Sequence, residues 1–296
     1  MVLVRFSRGH LLVLLAASCF GTLGLFSKLF YDEGGEPYAL LFLRFAVTGP
    51  LLCLLALALR ERLPRGRVAL GGLACGVGQL GGAYALFEGF ARAPIALVVL
   101  LFYVYPLIVA VGAGLLYGEE LGPRRLLVVA AGLAGIALTV GLPESLSALG
   151  IAFGLTGGVC IAAVMLASRR LMVSHGLSPV WLSALMFTSP AVGLALMMPL
   201  RAPDLSLGAG AWGWATGAVL LSAALPIALF YNGVRRVGAG TTALLGNAEP
   251  LVGVLLGYAV LGESLTALQL VGGALIVGGV VLLGTQSPAR AAGRVR

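Results

Sequence analysis

The chain reads as a series of long apolar runs, each about the length of a membrane helix, separated by short clusters of Arg, Gly and Pro. Within the runs Leu, Ala, Gly and Val follow one another with hardly any alternation, which fits helices crossing a bilayer; barrel strands would alternate over about ten residues. Spans are expected at about 10–30, 37–59, 68–91, 94–117, 124–142, 149–173, 179–200, 209–234, 240–261 and 266–284. Pro37, Pro94 and Pro179 sit at first helical turns, where a missing N–H removes no bond. The connections are short, so neighbouring spans run antiparallel.

The polar interruptions repeat. Asn247-Ala-Glu-Pro250 leads through an apolar run to Gly262-Glu263, and Tyr103-Val-Tyr-Pro106 leads through another to Gly118-Glu119. Pro250 follows Pro106 by 144 residues, and the same offset relates Glu263 to Glu119, Gly233 to Gly89 and Arg236 to Arg92. The chain therefore divides into two related halves, 1–147 and 148–286, with a tail at 287–296. Five spans per half is an odd number, so the second half must enter the membrane in the opposite sense. Such inverted repeats give a carrier one state open to each side around a site near the midplane.

Charge fixes the expected orientation. Fifteen of the 19 Lys and Arg fall on one side, among them Arg5, Arg8, Arg60, Arg124, Arg125, Arg169, Arg170, Arg235 and Arg290, whereas the turns opposite carry Arg92 and Arg201. By the positive-inside rule both termini are cytoplasmic. With 60% hydrophobic and 10% charged residues, against about 25% charged in soluble domains, this is an all-α integral membrane protein. The net charge of +8 orients helices and does not call for nucleic acid. Arg5 and Arg8 before Leu15-Ala-Ala-Ser-Cys19 imitate a lipoprotein signal, but the run continues to Phe30 and reads as an uncleaved first span. Cys19, Cys53, Cys75 and Cys160 are isolated and suit packing; with only His10 and His175 beside them, no metal or other cofactor is expected.

A few polar groups inside the spans could carry function. Glu249 lies midway along its span, with Gly253 and Gly257 on its helix face, and Pro250 frees the carbonyl of Gly246. Such a carboxylate either engages a substrate ammonium, binds a proton, or holds helices together by pairing. Arg44, well inside the second span, could neutralise Glu249 or Glu88 or hold a substrate carboxylate through its paired donors. Gln79, Tyr84 and Glu88 mark the third span, and Tyr84 and Glu88 form an i, i+4 pair. Tyr103 and Asn247 occupy equivalent positions one turn before their prolines and would oppose each other if the halves pack face to face. Tyr103 offers a flat apolar surface suited to an aromatic group. Lys28, Trp212 and Trp214 lie near span ends and read as interfacial. Gly76-Val-Gly-Gln-Leu-Gly81 imitates a dinucleotide loop, yet no strand precedes it; Gly72 with Gly76 and Gly78 with Gly82 are better read as admitting neighbouring helices.

The run Glu249-Pro-Leu-Val-Gly-Val-Leu-Leu-Gly-Tyr-Ala-Val-Leu-Gly-Glu263, followed by Leu268 to Gly279, resembles the final helices of ten-span drug/metabolite transporters, and Tyr105-Pro106 through Gly118-Glu119 resembles their internal first copy. The likeness runs from about His10 to Gly284 and is nearest to amino-acid exporters of the YddG type. It implies a ten-helix, basket-like fold in the bacterial inner membrane, with a central cavity walled by both halves and the fifth and tenth helices packed at the rim. Ala130, Ala131, Gly132, Gly135 and Gly272, Gly273, Gly278, Gly279 suit such packing. The position matching Glu249 is Tyr105, so the halves are chemically unequal. The resemblance implies export of aromatic and other neutral amino acids by a monomeric carrier whose partners are substrate and lipid. A carrier of another metabolite, a drug or a lipid-linked sugar is the alternative. A membrane-embedded enzyme would need a nucleophile with its base, or a motif such as His-Glu-x-x-His, and the chain has neither.

Overall fold

The structure is a computed structural model that describes residues 6–93, 95–119, 122–141, 147–262 and 264–284. Pro94, Glu263, Arg5 and the arginines of the C-terminal tail, all used in the sequence reading, lie outside the described residues.

Fourteen helices follow one another: α1 (Arg8–Gly21), α2 (Leu23–Asp32), α3 (Pro37–Ala58), α4 (Gly66–Arg92), α5 (Ile95–Phe102), α6 (Tyr105–Tyr117), α7 (Pro123–Val140), α8 (Ala148–Ser174), α9 (Pro179–Met197), α10 (Ala209–Val219), α11 (Leu225–Val237), α12 (Ala239–Gly246), α13 (Ala248–Leu261) and α14 (Ala267–Gly284). The π-helical segment Leu220–Ala224 joins α10 to α11. Among the described residues, nine helical stretches are long and apolar enough to cross a membrane, and the shorter apolar helix Ala267–Leu283 follows them. Four of the nine are composite: α1 with α2, α5 with α6, α10 with α11, and α12 with α13.

Three of the four interruptions have a proline as their cause. A proline has no N–H for the carbonyl four residues earlier, and its ring crowds that carbonyl. Pro106 thus deprives Phe102, where α5 ends; Pro226 deprives Ser222, at the centre of the π segment; Pro250 deprives Gly246, where α12 ends. The break between α1 and α2 falls at Thr22, whose hydroxyl donates to the carbonyl of Cys19 at 2.6 Å and so caps the end of α1. Interrupted helices survive in a bilayer only where other protein groups or a cavity take up the freed backbone groups.

Several local features recur between the two expected halves. Pro37 opens α3 and Pro50 lies inside it, as Pro179 and Pro190 do in α9. Gly118 and Gly262 close α6 and α13 in the left-handed conformation, at φ 66° and 70°, a region where a Cβ would clash.

The helices pack α4 against α8 and α9, α3 against α9, α1 against α11, α7 against α14, α5 against α8 and α6 against α12. Small residues set these distances. A Cβ on Gly158 would stand 2.8 Å from the Phe102 carbonyl, and one on Gly135 would stand 2.7 Å from the Gly272 carbonyl, so α8 meets α5 and α7 meets α14 backbone to backbone. Gly72 and Gly76 face α9, and Gly78 and Gly82 face α8. The main buried core gathers Tyr105, Val109, Met165, Leu182, Met186, Tyr231 and Val234. A smaller one joins Phe30 of α2, Leu40 and Leu43 of α3 and Val219 of α10.

Candidate functional site

The interruptions of the composite spans bring polar groups together in the middle of the bundle. Glu249 falls in the first turn of α13, directly after the break at Asn247. There the unpaired N–H groups and the helix dipole favour a negative charge by about 0.3–1 kcal/mol. Its glycine-lined face rests on α1: a Cβ on Gly21 would stand 2.7 Å from the Glu249 carbonyl oxygen. The carboxylate lies within electrostatic reach of Arg44, Tyr103 and Tyr105. Glu249, Arg44 and Tyr103 lie deep in the bundle, and each keeps part of its surface accessible.

Aromatic rings form the wall of this region. Tyr103 stands 5.5 Å from Phe102 and 6.0 Å from Tyr105, centroid to centroid, and Phe102 stands 5.6 Å from Tyr105. Phe20 of α1 meets Phe230 of α11 edge-on at 6.0 Å. Arg44 donates from Nη2 to the Ser222 carbonyl at 3.4 Å, while its Nε is buried without a hydrogen-bond partner. Thr22 and Ser222 join hydroxyls at 2.7 Å.

The other expected site residues are distributed differently. Asn247 is buried, and its amide lies over Gly132 of α7, where a Cβ would come within 2.4 Å of Nδ2. Its packing partner is therefore α7, and the charged neighbour within electrostatic reach of Tyr103 is Glu249. Gln79 lies on α4 between the directions of α8 and α9 and is half-buried. Tyr84 and Glu88 point the other way. With Tyr38, Leu41, Val77, Leu80, Met197 and Arg201 they line a crevice of about 640 Å³ between α3, α4 and α9. Tyr84 is 61% exposed there, and Glu88 pairs with Arg92. Arg201 stacks over Tyr38 at 4.5 Å. Trp212 is exposed near the start of α10, and Lys28 is exposed on α2.

A second charged cluster closes one end of the bundle. Glu119, just past the Gly118 cap, meets Arg125 of α7 at 3.2 Å and Arg169 of α8 at 2.5 Å, and Arg125 also donates to Thr241 at 3.1 Å. Both arginines belong to the set whose bias orients the spans, and the structure buries them. Glu119 among neighbouring arginines was the available signal. The sequence reading also passed over Thr22, Ser222, Phe20 and Phe230, although Pro226 marks Ser222 just as Pro250 marks Gly246.

Residues 7–141 match the model of the EamA-like transporter family, and residues 148–285 match it again. An uncharacterized transporter of Archaeoglobus fulgidus is 31% identical over 275 residues, covering 93% of this chain and 95% of its own. The uncharacterized transporter YcbK of Bacillus subtilis is 25% identical over 89% of this chain and 88% of its own. The threonine/homoserine exporter RhtA of Escherichia coli is 30% identical over 133 residues, 43% of this chain and 42% of RhtA. A crystal structure superposes with a TM-score of 0.80 over 93% of this chain at 22% identity, a likeness of fold.

Proposed function

The chain belongs to the EamA-like transporter family, within the drug/metabolite transporter superfamily, and from that premise we propose that it exports aromatic and other neutral amino acids across the inner membrane by alternating access. In this reading ten spans form two inverted five-helix halves, 1–147 and 148–286, with both termini in the cytoplasm. The family and the names of its relatives point to a transporter rather than an enzyme.

The observation that supports the substrate class is the placement of one cation and one anion, Arg44 and Glu249, within electrostatic reach of each other, with the Tyr103 ring within reach of Glu249. An amino acid is a zwitterion with a side chain, and each of its parts has a counterpart here. The free Nε edge of Arg44 donates to the α-carboxylate, Glu249 accepts from the ammonium, and the aromatic wall receives the side chain. Of the candidate residues, Tyr103, Glu249 and Arg44 contact the substrate directly; Gln79 borders the path from α4, and Asn247 holds the break that presents Glu249. Tyr84 and Glu88 stand apart from this contact set. The partial match to an exporter named for threonine and homoserine agrees with this class.

A second reading has one observation in its favour. The lateral crevice holding Tyr84 and Glu88 is wide and largely apolar, which suits an amphiphilic or lipid-linked substrate.

Counterflow in proteoliposomes separates the two. Labelled phenylalanine and threonine should exchange against internal amino acid, and phenethylamine, which lacks the carboxylate, should compete poorly. Exchange of an amphiphile with no exchange of amino acids would replace the first reading by the second.

A further inference from the structure

Resting on the amino-acid reading above, we propose that Thr22 and Ser222 are positioning residues that hold Arg44 so that its Nε edge faces the substrate carboxylate.

Pro226 supplies no N–H to the Ser222 carbonyl, and the π segment closes instead through the Leu225 N–H to the Leu220 carbonyl. The freed carbonyl of Ser222 takes Nη2 of Arg44 at 3.4 Å. A guanidinium is a planar fork of five N–H donors. The side edge of a guanidinium is made by Nε–H and the Nη2 hydrogen beside it, so with the other Nη2 hydrogen held by the Ser222 carbonyl that edge is fixed in direction and left free. Nε is buried and has no hydrogen-bond partner. A carboxylate is the group whose two oxygens match that edge.

The tether is itself fixed by the hydroxyl pair. Thr22 Oγ1 stands 2.6 Å from the Cys19 carbonyl and 2.7 Å from Ser222 Oγ. A hydroxyl has one proton, and a carbonyl can only accept, so the Thr22 proton goes to Cys19 and Ser222 donates to Thr22. This sets the direction of the chain: Ser222 to Thr22 to Cys19. Ser222 is fully buried, so no water competes for it. The bond fastens the π segment to the break between α1 and α2. The acceptor of Arg44 is thereby held in place by two interrupted spans.

The test compares an acid with its neutral analogue. Binding of phenylalanine and of phenylalaninamide is measured by calorimetry on purified protein, for the wild type, Thr22→Val, Ser222→Ala and Thr22→Ser. Both ligands keep the ammonium and the ring, and only the acid uses Arg44. In the wild type the acid should bind more tightly. In Thr22→Val and Ser222→Ala the acid should lose about tenfold and the amide should be unchanged. Thr22→Ser, which keeps the acceptor, should restore the wild-type ratio and shows that the position tolerates replacement. An unchanged acid-to-amide ratio in the two variants, or an equal loss for both ligands, overturns the positioning role while leaving the transport reading intact. A wild type that binds neither ligand overturns the transport reading and the positioning with it.

Discussion

Glu119 and Arg169 lie 50 residues apart in the chain and meet at 2.5 Å, with the glutamate side chain wholly hidden from solvent and the arginine 8% exposed. The contact is ionic, without the alignment of a directed hydrogen bond at Oε1. Around it Arg169 stacks on the Tyr117 ring at 5.0 Å, and Tyr117 donates to the Leu166 carbonyl. Gly238 and Gly240 make room, since a Cβ on Gly238 would come within 2.3 Å of Arg169 Nη1. The cluster ties α6 and α7 to α8 and α12 at one end of the bundle.

Removing the anion leaves two buried guanidinium groups facing each other. Glu119→Gln should therefore lower stability by about 3–5 kcal/mol, the scale on which a broken buried pair is felt. Thermal unfolding in detergent measures this, and an unaltered melting temperature would show the cluster to be energetically idle.

Glu249→Gln preserves shape while removing charge. With the carboxylate as the ammonium partner, gradient-driven transport and counterflow should fall together, and substrate should bind about tenfold more weakly. Loss of gradient-driven transport with counterflow intact would assign the residue to proton coupling instead. A melting temperature lowered with binding unchanged would assign it to helix pairing with Arg44.

Loss of the Tyr103 ring should weaken binding of aromatic substrates by about 1 kcal/mol and leave threonine little affected. Competition assays on Tyr103→Ala report the ratio. Equal loss for phenylalanine and threonine would remove the ring from the binding surface.

Orientation can be read by labelling. A cysteine introduced at Ser264 should react with an impermeant thiol reagent applied outside cells, and one introduced at Gly122 should not, if the arginine bias at the Gly122 turn marks the cytoplasmic side. The reverse pattern would invert the topology.

The spans and two of their four interruptions were legible because both follow from local chemistry: apolar length makes the helix, and a proline at 106 or 250 takes the partner from the carbonyl four residues earlier. Arg44 and Glu249 stood out because a charge inside a span costs roughly 3 kcal/mol or more. Which face of α4 looks inward was hidden. In a bilayer the lipid side is as apolar as the packed side, so the i, i+4 spacing of Tyr84 and Glu88 gave them a common face without saying where it points. The Thr22 and Ser222 pair was hidden for another reason. Single hydroxyls are ordinary in membrane helices, and only the fold brings residues 200 positions apart to 2.7 Å. The arginine count gave an expected side for Arg125 and Arg169, while their pairing with Glu119 depends on how helix ends converge.

Arg44 belongs to the first segment that matches the family model and Glu249 to the second, and the position matching Glu249 in the first is Tyr105. Two copies of the first segment, associating as a symmetric dimer, would confront arginine with arginine; two copies of the second would confront glutamate with glutamate. A pocket with one acid wall and one basic wall is closed to self-association of either segment alone. Under the zwitterion reading, carrying both segments in one polypeptide is what lets Arg44 and Glu249 offer unlike charges to a ligand in a single orientation.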